Sequence, residues 1–150
     1  MKALVVYDSI HGNTEKIALS IAEGLGEEAQ VIKAADVKAG NLDSVAILVA
    51  GSPTYGGQPT PAMKAFLTMV KNLSLNGVAV AAFDTRMPQT WVKIFTFAAP
   101  KILKALASRG GDHAVKSEGF FVAGREGPLL ENEEQRAVGW GKAILANAGK

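Results

Sequence analysis

The chain has 150 residues, of which 48% are hydrophobic and 20% charged, and it contains no cysteine. These totals predict a single folded domain over residues 1–150 and exclude a disordered chain, disulfide bonds and thiolate metal sites. With only two histidines, a structural zinc site is disfavoured and we predict no metal. No apolar run approaches the roughly 20 residues that span a bilayer, and no secretory signal is evident, so we expect a cytoplasmic protein without a membrane span.

The net charge of +2 is unevenly distributed along the chain. Residues 44–111 contain seven Lys/Arg and one acidic residue, Asp84, whereas residues 1–43 contain four Lys/Arg and seven acidic residues. This basic middle indicates either an ordinary solvated surface or a docking face for a protein partner with an acidic surface. No basic cluster with interleaved aromatic residues occurs, so we expect no nucleic-acid partner.

Short apolar segments alternate with helical patterns along the chain. In chain order the patterns predict a strand at Ala3–Tyr7, a helix at Thr14–Leu25, a strand at Ala29–Lys33, a linking stretch at 34–43, a strand at Ser44–Ala50, a helix at Pro61–Leu73, a strand at Val78–Phe83, a helix at Ile94–Ser108 that starts or kinks near Pro100, a strand at Ala114–Val122 and a helix at Glu131–Asn147. Such βα repeats predict an α/β fold, with a parallel sheet covered by helices on both faces.

Three loops of unusual composition follow the predicted central strands, at residues 8–14, 51–60 and 84–93. Ligands of open α/β sheets bind beyond the carboxyl ends of the strands, so these loops are the candidate site. The first loop reads DSIHGNT and leads into a helix, whose free N–H groups favour an anion. It lacks the P-loop lysine and the spaced glycines of a dinucleotide fold, which favours a small phosphate monoester. The alternative is an ordinary helix cap by Ser9 or Asn13, with His11 as either a phosphate donor or a solvated residue.

The second and third loops suit a planar ring. In the second loop, Thr54 and the backbone offer hydrogen bonds, Tyr55 offers a stacking face, and Gly56 and Gly57 permit unusual backbone angles. The third loop could clamp another edge of the same ring, with Trp91 as either a second stacking residue or an ordinary packed aromatic. The alternative for both loops is a structural turn.

Together these motifs resemble the flavodoxin family. Ser9-Ile10-His11-Gly12-Asn13-Thr14 is similar to the family's FMN-phosphate loop, Ser52-Pro53-Thr54-Tyr55-Gly56-Gly57 to the loop on one face of the isoalloxazine, and loop 84–93 to the third contact. The resemblance spans the whole chain and implies a doubly wound five-stranded parallel sheet of order 2-1-3-4-5; that order comes from the family and not from the residues. It also implies FMN as the cofactor, held by Ser9, Ile10, His11, Gly12, Asn13, Thr14, Ser52, Pro53, Thr54, Tyr55, Gly56, Gly57, Asp84, Thr85, Arg86 and Trp91.

The resemblance further implies electron transfer between protein redox partners, with FMN cycling through semiquinone and hydroquinone states. Gly56 matches the family glycine whose carbonyl turns to accept a hydrogen bond from reduced flavin N5. The chain departs from the family pattern at His11, at Gly57, where an acidic residue often stands, and at Arg86 and Met87 in a loop that is often acidic. A cation near the ring stabilises anionic reduced flavin, so Arg86 predicts a less negative low-potential couple than acidic flavodoxins have.

Two other classes of protein share these features. One is an FMN-dependent reductase or oxidase of the quinone or protoporphyrinogen type, and the other is a flavin-free scaffold in which the glycine loops are purely structural. No acid–base constellation is evident in the sequence, so we predict no catalytic residues and favour an electron carrier over a stand-alone enzyme.

Overall fold

Strands and helices alternate through the computed structural model, which describes residues 1–88 and 97–149. The elements are β1 (Ala3–Tyr7), α1 (Asn13–Leu25), β2 (Ala29–Lys33), β3 (Ile47–Pro53), α2 (Pro61–Val70), β4 (Ala79–Arg86), α3 (Ala98–Ala107), β5 (Asp112–His113), β6 (Glu118–Phe121) and α4 (Glu133–Asn147). Two 3₁₀ turns, Ala34–Asp36 and Ala39–Leu42, occupy the predicted linking stretch.

All strand pairs of the sheet are parallel, in the order β2-β1-β3-β4-β5, with β6 also paired to β4. The predicted fold class and strand order are therefore confirmed. Tyr7, Gly51 and Phe83 lie side by side on β1, β3 and β4. This register places the carboxyl ends of the three central strands at one edge of the sheet.

The fifth position of the sheet differs from the prediction of one continuous strand at Ala114–Val122. It is made of two short strands, β5 beside Ala79 and Val80 and β6 beside Phe83–Arg86. Residues 114–117 between them leave the regular ladder, although Ala114 N–H still donates to the Val80 carbonyl. An edge strand has a neighbour on one side only, so it tolerates such an interruption better than a central strand does.

Both faces of the sheet are buried, as the near-continuous apolar strands predict. Alternate strand residues such as Val5, Val49 and Ala81 pack with α1 and α4. Their neighbours along the strands, such as Val6 and Ala50, pack with α2 and α3 on the other face. The helices that follow β1, β3 and β4 all begin at the carboxyl edge of the sheet, where the three loops lie.

Some observed element boundaries differ from the predicted ones, because backbone geometry and strand pairing outweigh the hydrophobic pattern. The predicted strand at Ser44–Ala50 begins later, at Ile47, because Ser44 has a positive φ of 61° and the N–H groups of Ala46 and Ile47 share the Lys2 carbonyl. It ends later, at Pro53, because it stays paired with β4. The last helix begins at Glu133 and not at Glu131, because Asn132 has a left-handed φ of 70°.

Some expectations fall on undescribed residues. Trp91 and the start of the helix predicted from Ile94 lie outside the described residues, while Pro100 occupies the first turn of α3, where proline is tolerated. Among the helices that the structure describes, none is both long and apolar enough to cross a membrane.

Candidate functional site

The three predicted loops meet at the carboxyl edge of β1, β3 and β4. The hydroxyls of Thr14, in the first loop, and Thr85, in the third, share a buried hydrogen bond of 2.8 Å. The Thr54 N–H, in the second loop, donates to the Thr85 carbonyl at 3.0 Å. Residues up to 71 positions apart in sequence therefore form one connected surface.

The first loop presents unsatisfied backbone donors. Gly12 has a φ of 90°, which turns the chain into α1 and is accessible to glycine at little cost. Ser9 Oγ accepts hydrogen bonds from the N–H groups of Gly12 at 3.0 Å and Glu15 at 3.4 Å. The N–H groups of Asn13 and Thr14, two buried residues, have no hydrogen-bond partner among the described residues. Unpaired N–H groups at a helix start favour an acceptor, and an anion supplies one.

A hairpin that the sequence analysis missed packs against the first loop. Residues 122–129 fold back on themselves through a bridge between Val122 and Leu129. At the hairpin tip, the Glu126 carbonyl accepts a hydrogen bond of 3.1 Å from Asn13 Nδ2. The side chain of Asn13 is thus occupied in holding this tip, while Ile10 and His11 stay exposed. The turn residues Gly124, Gly127 and Pro128 were the available sequence signal.

The second loop ends in a two-residue hairpin. The backbones of Tyr55 and Gln58 exchange hydrogen bonds of 2.8 and 3.0 Å around Gly56 and Gly57. Both glycines have positive φ, 57° and 77°, as a tight hairpin turn demands. The Tyr55 side chain is 55% exposed, and a Cβ built on Gly56 would meet no atom within 4 Å. The turn therefore offers an aromatic face and open space for a flat ring.

The remaining predicted residues of the second loop shape its backbone. Ser52 is fully buried; its hydroxyl donates to the Pro53 carbonyl at 3.0 Å and accepts from the Thr60 N–H at 3.4 Å. Thr54 Oγ1 accepts a hydrogen bond of 3.1 Å from the Ala98 N–H and so caps the start of α3. Direct contact of Ser52, Pro53 or Thr54 with a ligand stays a prediction.

In the third loop, Arg86 is not a free cation. Its Nε and Nη2 bind the two oxygens of Asp84 at 2.7 and 2.8 Å, and Asp84 also accepts a bond of 2.9 Å from the Ala99 N–H. The guanidinium stacks on the Phe97 ring, 3.6 Å from its centroid. Asp84 has no solvent exposure and neutralises Arg86 locally, which removes most of the net charge on which its predicted redox effect depends. Met87 is exposed, and Trp91 lies outside the described residues.

Two polar contacts support the site from beneath. Tyr7, the last residue of β1, donates its hydroxyl to Glu15 Oε2 at 2.5 Å. Burial, followed by the hydrogen bond to Glu15, raises the pKa of Tyr7 to about 12. Lys101 of α3 donates to the Gly57 carbonyl. The two residues are 44 positions apart in sequence, so no local pattern could predict this contact.

This geometry defines a class of protein: a doubly wound α/β fold with backbone N–H donors after its first strand and a glycine hairpin after its third. A family model described as flavodoxin matches residues 5–140. The chain belongs to the flavodoxin family of FMN-binding electron-transfer proteins, and that membership assigns FMN to it as its cofactor. The family predicted from the sequence is confirmed.

Individual relatives agree with this membership. The probable flavodoxin 1 of Bacillus subtilis (strain 168) is 35% identical over 88 residues, 56% of this chain and 56% of that protein, so the match spans about half of that curated relative. The flavodoxin of Streptococcus pneumoniae TIGR4 superposes with a TM-score of 0.82 at 22% identity, covering 99% of this chain and 100% of that one. A flavodoxin from the domain Archaea gives a TM-score of 0.77 at 25% identity, covering 97% of each chain.

Proposed function

We propose that the protein is an FMN-dependent electron carrier that shuttles single electrons between protein redox partners. The observation that carries the proposal is the placement of two complementary features on one sheet edge. The N–H groups of Asn13 and Thr14, which have no partner among the described residues, suit a phosphate, and the hairpin at Gly56 and Gly57 suits the ring. Bound FMN supplies one-electron chemistry through its semiquinone and hydroquinone states.

The residues of the three loops contribute to FMN binding in different ways. Asn13 and Thr14 hold the phosphate with backbone N–H groups, and Ser9, which accepts from the Gly12 and Glu15 N–H groups, keeps the loop in the shape that presents them. Tyr55 would cover one face of the ring, and the Gly56 carbonyl, which accepts no hydrogen bond from the described residues, would be available to accept one from the ring. The buried contact between Thr14 and Thr85 keeps the first and third loops at a set separation.

The partner that docks at this edge carries an acidic surface. Lys64 on α2 and Lys101 on α3 lie in the first turns of helices that begin at this edge, and the single acid of residues 44–111, Asp84, is buried against Arg86. Ile10, Tyr55 and Met87 are exposed apolar residues in the three loops at this edge. Lysines beside an apolar centre are typical of a steered, transient interface with an acidic partner, while the exposed Glu126 lies beside the first loop.

An absorption spectrum of the purified protein, followed by stepwise photoreduction, tests the carrier function. We expect a yellow protein that releases FMN on denaturation and passes through the spectrum of one-electron-reduced flavin. A yellow protein without that intermediate would favour two-electron enzyme chemistry, and turnover of NAD(P)H with a quinone would then identify a reductase. A colourless protein that takes up no added FMN would overturn the proposal.

The salt dependence of electron transfer tests the acidic partner. Against an acidic redox protein, the rate should fall as ionic strength rises, and Lys64→Glu should lower it at low salt. Lys142→Glu is the matched control, since Lys142 is an exposed lysine of α4 on the opposite face of the sheet. Equal effects of the two substitutions, or a rate independent of salt, would exclude the proposed docking face.

A further inference from the structure

Lys101, near the start of α3, reaches across to the glycine hairpin. Its ammonium donates to the Gly57 carbonyl, and its side chain is half-buried. We propose that Lys101 is a positioning residue of the FMN site, which restrains the hairpin and provides the uncompensated positive charge beside it. This inference rests on the proposed function, because it takes the hairpin as the flavin contact.

The hydrogen bonds of the hairpin leave one central carbonyl restrained and the other unrestrained. Tyr55 and Gln58 bond to each other, and Lys101 binds the carbonyl of Gly57. The carbonyl of Gly56 has no hydrogen-bond partner among the described residues. Rotation is therefore confined to the peptide between Gly56 and Gly57, and two residues without a Cβ flank that peptide. The Lys101 contact keeps the neighbouring peptide still while this one turns.

The start of α3 gives Lys101 a defined origin. The Ala98 N–H binds Thr54 Oγ1 at 3.1 Å, and the Ala99 N–H binds Asp84 Oδ2 at 2.9 Å. The helix start is thereby attached to both the second and the third loop. The backbone of Lys101, two residues after Ala99, is therefore held at a nearly constant distance from the hairpin. The backbone of a lysine on a free loop would not be held in this way.

The charge of Lys101 is not cancelled by a neighbouring carboxylate. Asp84, the one acidic residue of segment 44–111, is committed to Arg86 and Ala99, and position 57 is glycine. Within the part of the chain that the structure describes, Lys101 forms no ion pair. A cation at this place favours reduced, anionic FMN over oxidised FMN. Lys101, and not Arg86, is therefore the cation that makes the low-potential couple less negative.

Hydrogen exchange of the apoprotein tests the restraint without any flavin. In Lys101→Met we expect exchange of the hydrogen-bonded amides of Tyr55 and Gln58 to rise about fivefold relative to wild type, because the hairpin opens more often. Lys104→Met is the matched control: Lys104 is an exposed lysine on the same helix with no hydrogen bond to the described residues, and its substitution should leave this exchange unchanged. Unchanged exchange in Lys101→Met would overturn the restraint.

Redox titration of the FMN-loaded variants tests the charge. We expect the low-potential couple of Lys101→Met to become more negative by about 59 mV, a tenfold change in a one-electron equilibrium. Lys101→Arg keeps the charge and should restore most of the potential, while Lys104→Met should change it much less. Equal shifts in Lys101→Met and Lys104→Met would overturn the role of Lys101. If the protein bound no FMN, the proposed function would fail. Hydrogen exchange of the apoprotein would still show whether Lys101 restrains the hairpin.

Discussion

Arg86 forms a two-point ion pair with Asp84, whose carboxylate is wholly buried near the end of β4. Because the two residues are on the same face of β4, one strand supplies both charges. The pair ties the end of β4 to α3, since Asp84 also accepts the Ala99 N–H. Its function is therefore architectural more than electrostatic, and this distinction can be measured.

Arg86→Ala should destabilise the protein by about 3 kcal/mol, because it leaves the buried Asp84 carboxylate without its partner. The double variant Asp84→Asn/Arg86→Ala should recover part of that loss, since no buried charge remains. Urea unfolding of the three proteins measures these values. The low-potential couple of Arg86→Ala should shift less than that of Lys101→Met, and a larger shift would restore Arg86 as the tuning cation.

The first loop should recognise the phosphate through its shape. Ser9→Ala removes the hydroxyl that holds the N–H groups of Gly12 and Glu15, so affinity for FMN should fall about tenfold. Riboflavin, which lacks the phosphate, should bind the variant as well as it binds wild type. Titration of the apoprotein with both flavins gives the comparison, and a parallel loss for both would contradict a phosphate-specific function of this loop.

Helices α1 and α4 touch through a pair of glycines. A Cβ on Gly141 would overlap the Ile21 carbonyl, and one on Gly24 would overlap the Val138 carbonyl. Gly141→Ala should therefore cost about 3 kcal/mol of unfolding free energy. Gly139→Ala is the control on the same helix: nothing lies within 4 Å of its Cβ position, so it should stabilise by up to about 1 kcal/mol. Similar unfolding midpoints for both variants would exclude this close contact.

Tyr7 should make stability fall in alkaline solution. Its pKa is raised to about 12 from an unfolded value near 10, so the folded protein retains this proton longer than the unfolded chain. The contribution is complete below pH 10 and is lost as the pH rises towards 12. The stability difference between wild type and Tyr7→Phe, from unfolding at pH 8 to 12, should narrow across that interval. A constant difference would show that the Tyr7 pKa is unshifted.

Glu133 should stabilise the folded protein at neutral pH and lose this contribution in acid. The hydrogen bond from Arg136 lowers the pKa of Glu133, and the Phe121 N–H adds a second donor at 2.7 Å. Its contribution is present above the unfolded pKa near 4.5 and disappears as the pH falls through the lowered value. Glu133→Gln should cost about 2 kcal/mol at pH 7 and much less in acid, as measured by urea unfolding. A cost independent of pH would contradict the ion pair.

Local patterns were sufficient for most elements. The bounds of β2 and the start of α2 at Pro61 match the prediction, because apolar runs and an N-terminal proline act within a few residues. The first-loop motif could be located on the chain for the same reason, since a loop between a buried strand and a helix is recognisable from sequence. The split of the fifth strand was missed, because pairing along a sheet edge depends on partners distant in sequence.

The sequence by itself determined the order of strands and helices, the two buried faces of the sheet, the family and the three candidate loops. These follow from hydrophobic periodicity and from short motifs, which are local properties of the chain. Only the tertiary structure decided that Asp84 neutralises Arg86, that Glu126 holds Asn13 and that Lys101 restrains Gly57. The charge and shape of a site depend on atoms that folding brings together. Residues that lie 44 or 113 positions apart, as in two of these contacts, form no local sequence pattern, so their contact cannot be predicted before the sheet is assembled.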